Sequence, residues 1–71
     1  DVTPAEEQIL RMVVRKNECV ITDLAKEINK SAQYVGKVLN KLLEANLVTI
    51  KKHGKNKYHR PALDAVIAYS E

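Results

Sequence analysis

Lys51, Lys52, Lys55, Lys57 and Arg60 fall within ten residues of one another with no acid between them. Cations at this density repel one another, and a polyanion relieves the repulsion, so the chemistry they suit is the neutralisation of phosphates. His53 and His59 lie in the same stretch and add charge below neutral pH. A second set precedes it: Ser31, Gln33, Tyr34, Lys37, Asn40 and Lys41. Amides of Gln and Asn match adenine edges, Lys matches guanine, and a serine with free backbone N–H groups at a helix start suits a phosphate. Gly36 sits among them and costs a helix about 1 kcal/mol against Ala. Close approach of a partner to the backbone accounts for that loss; packing against a neighbouring helix is the rival account. The plain alternative for both sets is a solvated surface, including a lysine-rich hairpin edge that resists strand-to-strand aggregation.

Enzyme chemistry has little to stand on. The chain has no glycine-rich phosphate loop, and its two histidines have no paired carboxylate or nucleophile nearby in sequence. Cys19, His53 and His59 could share a metal only if the hairpin folded back onto the segment around Cys19. A small buried hydrophobe is the better reading of Cys19. No catalytic, cofactor-binding or metal-ligating residue is expected.

Seventy-one residues make one domain, 1–71, near the lower size limit for folding unaided. The chain is 45% hydrophobic without Phe or Trp, so the core must be built from Val, Ile, Leu and Ala. One cysteine excludes an internal disulfide, and a reduced intracellular setting is the easier fit, whether cytoplasm, nucleoid or nucleus. The longest apolar run is too short to span a bilayer and no signal-peptide pattern is present, so no membrane role is expected. The chain begins at Asp1 without methionine, as a piece of a longer protein would. Its formal net charge of +3 is unevenly spread: residues 31–60 hold seven Lys or Arg against Glu44 alone, whereas residues 1–30 hold five against six acids. A basic half on a near-neutral body points to a polyanionic partner.

The elements that must position these residues are legible in outline. Thr3-Pro4-Ala5-Glu6 is a capping box with proline at the first helical position. Ile9, Leu10, Val13 and Val14 then recur at helical spacing up to about Asn17. Cys19-Val20-Ile21 is β-prone, and Thr22 is placed to cap a second helix carrying Leu24, Ala25 and Ile28. Asn29 tolerates a left-handed backbone and ends it. Ser31 caps a third helix, 32–45, burying Val35, Leu39 and Leu42, with Val38 and Leu43 on its flanks and Asn46 as its stop. From Leu47 to Arg60 the period falls to two: Val48 and Ile50 alternate with Thr49 and Lys51, and Gly54 serves the reversal. Pro61 stops the strand ahead of a last helix containing Leu63, Val66 and Ile67.

With these residues placed, the chain resembles the winged helix-turn-helix superfamily over nearly its whole length. Its general look is that of ArsR- and MarR-like transcription regulators. Asp23-Leu24-Ala25, Ile28, Ser31, Val35, Leu39, Leu42, Leu47-Val48, Gly54 and Tyr58 carry the resemblance. It implies that the helix over 32–45 enters a major groove and that the hairpin, the wing, touches the neighbouring backbone. Asparagine stands at positions 29 and 46, where such proteins usually have glycine. The Cys-x-Cys-Asp-Leu run of ArsR-type metal sensors is not matched by Cys19-Val20-Ile21-Thr22-Asp23-Leu24. Winged helices that bind left-handed DNA share the Val35–Leu39 spacing but rely on a tryptophan wing that this chain lacks.

The expected fold is mainly α with a small β-hairpin, in the order α-β-α-α-β-β plus a short C-terminal helix. The helix-turn-helix spans 22–46 and the wing 47–60. The expected function is non-enzymatic binding of double-stranded DNA in transcription regulation or in replication and maintenance. The alternative is a winged helix used for protein–protein contact in a larger assembly, with other subunits or a second copy as partners.

Overall fold

The computed structural model describes residues 2–69. Helix α1 spans Pro4–Lys16 and opens on the expected capping box: Glu6 N–H donates to Thr3 Oγ1 at 3.2 Å and Thr3 N–H to Glu6 Oε1 at 3.1 Å. It closes at Asn17, which leaves helical geometry at φ 72° while its N–H still bonds Val13 O at 2.8 Å. Helix α2 covers Ile21–Ile28, starting two residues earlier than a Thr22 cap implies. Its N-cap is Val20, extended and without a side-chain cap, so Thr22 lies inside the first turn. The cause is tertiary. Cys19 is drawn into an antiparallel bridge with His59, the chain stays extended through Val20, and Ile21 packs against the core. The expected strand at residues 19–21 is thereby reduced to that single bridge.

Asn29 ends α2 in the left-handed region, at φ 58° and ψ 46°, and Lys30 N–H returns to Ala25 O at 3.0 Å. Ser31 Oγ accepts from Tyr34 N–H at 3.0 Å and starts α3, Ala32–Glu44, which stops one residue short of the expected end. Asn46, at φ 62°, turns the chain, and Leu47 N–H bonds back to Leu42 O at 2.9 Å. Strands β1 (Val48–His53) and β2 (Asn56–Pro61) form an antiparallel hairpin in the register Val48↔Pro61, Ile50↔His59, Lys51↔Tyr58 and Lys52↔Lys57. Gly54 takes φ 64° in the two-residue loop. Helix α4, Leu63–Tyr69, follows.

Leu10, Val13, Leu24, Val35 and Leu39 are wholly shielded, with Ile9, Leu42 and Val48 nearly so, and Ala65 brings α4 onto the same cluster. Each large aliphatic side chain buried in this way stabilises the fold by roughly 1.5–3 kcal/mol. Met12 and Val38 are buried as well, whereas Val14 is only half-buried. Strand alternation does not bury Ile50, which is 39% exposed, because the hairpin leaves the body after Val48 and His59. Leu63 and Ile67 lie one turn apart on α4 and are 74% and 72% exposed. Lys16 of α1 meets Glu27 of α2 at 2.8 Å, and the Arg11 guanidinium lies 5.5 Å from the Tyr69 ring centre, tying α1 to α4.

Candidate nucleic-acid interface

Helical periodicity sorts α3 cleanly. Val35, Val38, Leu39 and Leu42 face the core, and Gln33, Lys37 and Asn40 form an exposed row on the opposite side. Ser31 is exposed at the head of the helix, with its oxygen engaged in the cap. Tyr34, assigned to the surface from sequence, is half-buried: its ring leans on the core and Lys30 Nζ stands 5.7 Å from the ring centre. Lys41 is exposed but turned toward α1, where its ammonium lies 3.5 Å from Glu6 Oε2. The Glu6 carboxyl is held below the usual carboxylate range, first by the Thr3 backbone N–H and then by Lys41. A Cβ built on Gly36 meets nothing within 4 Å, so packing against α2 does not explain the glycine.

On the wing, Lys51, Lys52, Lys55 and Lys57 are all exposed. The pleat divides them. One face carries Thr49, Lys51, Tyr58 and Arg60; the other carries Ile50, His59 and the directly opposed pair Lys52 and Lys57. Like charges facing each other across a ladder are destabilising. One assignment changes here. His59 is 3% exposed with Nδ1 unpartnered, and burial, followed by the nearby Lys57 charge, pushes its pKa below the ordinary histidine value. It therefore adds no charge to the wing just below neutral pH. Arg60 is half-buried, and its Nε lies 3.7 Å from Glu18 Oε2. Glu18 was not singled out from sequence, and no local spacing marks it, because the contact depends on a bridge between Cys19 and His59. Cys19 is buried, and loss of solvation raises its thiol pKa to about 11. Among the described residues no group of three or more His, Cys, Asp or Glu side chains could hold a metal ion, and no helix is long and apolar enough to cross a membrane.

The MarR family model matches residues 1–57. The chain belongs to the MarR family. Solved structures agree with that assignment. The adhesin competence repressor AdcR from Streptococcus pyogenes superposes with a TM-score of 0.86 at 25% identity, over 99% of this chain and 54% of that one. The oxidized form of MarR from E. coli gives 0.88 at 13% identity, over 97% and 51%. A possible transcriptional regulator for arsenical resistance gives 0.75 at 24% identity, over 93% and 69%. This MarR-family chain thus spans about half the length of the first two. A comparison with curated proteins found no match. The winged helix expected from sequence is the fold of this family, and transcription regulation through DNA is the family's work.

Proposed function

We propose that this MarR-family domain binds double-stranded DNA non-enzymatically, with the exposed row of α3 in the major groove and the wing on flanking phosphates. The observation that carries the reading is an exposed polar row on α3 followed directly in the chain by a hairpin whose lysines are all exposed. Lys37 on α3 is joined by Lys51, Lys52, Lys55 and Lys57 on the hairpin that follows it. Gln33 and Asn40 are placed to read bases, whereas the wing lysines hold the backbone; Ser31 and Lys41 border the groove-facing row. Tyr34 supports α3 from the core side more than it meets DNA.

Phosphate contacts position a protein and base contacts specify its site, so the two sets fail differently. Replacing Lys55 and Lys57 with Ala is expected to weaken binding to all duplexes alike, lowering the log–log salt slope by about one unit for each phosphate no longer neutralised. Replacing Gln33 or Asn40 with Ala leaves that slope in place and narrows the gap between preferred and random DNA by about 1–3 kcal/mol where the residue reads a base. Unaltered binding by the wing double variant would refute the wing role. A protein-contact role has its own observation in Leu63 and Ile67, which leave an apolar edge on α4. Self-association abolished by Ile67→Lys, followed by sedimentation, tests it.

A further inference from the structure

Glu18 lies outside both the helix-turn-helix and the wing, yet the fold delivers it to the wing's surface. Cys19 N–H donates to His59 O at 3.0 Å and His59 N–H to Cys19 O at 2.8 Å. In an antiparallel bridge the residue before one partner stands beside the residue after the other, so Glu18 stands beside Arg60. Its Oε2 lies 3.7 Å from Arg60 Nε, a separation that allows an ion pair but is too long for a hydrogen bond. Arg60 Nε is shielded from solvent and has no hydrogen-bond partner. Glu18 also borders a recess of about 220 Å³ with Lys51, His53 and Tyr58, on the same face of the hairpin. A carboxylate thus sits against the cations of a segment that has no acid of its own.

We propose that Glu18 is an affinity-setting residue of the DNA interface: its carboxylate occupies the position at Arg60 that a DNA phosphate takes on binding. The inference rests on the proposed DNA-binding function and adds how the wing is tuned. Carboxylate and phosphodiester are both oxyanions and compete for one guanidinium. The Glu18 and Arg60 side chains are 43% and 41% exposed, so the pair is worth little to stability and yields readily to a stronger anion. The effect of Glu18 is therefore competition with the phosphate for the Arg60 guanidinium. Glu18 acts through Arg60 as a positioning residue and forms no bond to DNA itself.

The test uses fluorescence anisotropy with one generic duplex across a salt series, on the whole chain and its variants. Glu18→Gln is expected to tighten binding about three- to fivefold at low salt, the effect of removing a competing unit charge about 4 Å from the guanidinium at a solvated surface. The gain shrinks as salt screens the charge. Glu18→Asp, which keeps the charge but sets it one methylene back from Arg60, is expected to gain less than Glu18→Gln. In an Arg60→Gln background Glu18→Gln is expected to gain less than twofold, and the Arg60 Nε–H resonance of the parent shifts on adding duplex. Weaker or unchanged binding by Glu18→Gln, equal tightening by Glu18→Asp, or a stationary Arg60 resonance overturns the proposal while leaving DNA binding intact. A parent chain that ignores duplex at low salt overturns the DNA-binding reading as well, and is recognised before any variant is measured.

Discussion

Gly36→Ala is expected to make the domain more stable and, on the DNA-binding reading, a poorer binder. Gly36 sits within α3, a helix capped at its start by Ser31. Its φ is not in the left-handed region, and an added Cβ meets nothing within 4 Å. No strain or clash therefore offsets the helix-propensity gain of about 0.8–1.0 kcal/mol. In a domain of this size such a gain raises Tm by roughly 4–8 °C. Circular-dichroism melts of parent and variant measure it directly. A loss of stability beyond about 0.5 kcal/mol would refute the reasoning, because it would require a contact that the geometry does not contain. Duplex affinity measured on the same samples gives the second half. Gly36 lies beside the row of Gln33, Lys37 and Asn40, and a methyl group there holds the helix away from a groove wall. A variant that is both more stable and equally good at binding would leave the glycine without a role at the interface.

Leu42→Ala is expected to cost about 2–5 kcal/mol, since Leu42 is 1% exposed at the centre of the core, whereas Lys37→Ala should leave stability within about 0.5 kcal/mol. Urea melts decide it, and a reversed order would mean that the phase of α3 is misread. Burial lowers the His59 pKa, so the unfolded chain takes up a proton that the fold refuses. The associated stability is present above the ordinary histidine value of about 6.5 and is lost as pH falls through the lowered one. Tm should drop between pH 7 and 5, and His59→Leu should remove that part of the drop, a window distinct from the lower one in which Glu6 titrates. Because the Cys19 thiol is buried with its pKa raised to about 11, alkylation by iodoacetamide at pH 8 should be slow in the native state and fast in urea. Equal rates in the two conditions would contradict the burial.

Local chemistry was the part of the fold open to reading. The Thr3–Glu6 box, the Ser31 cap, the left-handed Asn29 and Asn46 and the Gly54 turn each act within a few residues, and each stands where the spacing puts it. Helical periodicity likewise separates Gln33, Lys37 and Asn40 from Val35, Leu39 and Leu42. What escaped depends on partners distant in the chain. Thr22 has the right side chain for a cap, but the bridge between Cys19 and His59 sets where α2 begins. The same bridge buries His59 and places Glu18 against Arg60. Lys41 reads as groove-facing until α1 brings Glu6 to its ammonium, and Tyr34 reads as exposed until the core meets its ring.

The facing lysines Lys52 and Lys57 give ionic strength two opposed effects on this one hairpin. Added salt screens their mutual repulsion, so the tip of the free wing closes more firmly as salt rises. The same ions compete for the phosphates that the tip would hold. A duplex that settles over the pair supplies the screening itself, at a fixed place and in ordered form. On the proposed DNA-binding role, salt and duplex therefore relieve the same lysine pair, one favouring the free hairpin and the other the bound one.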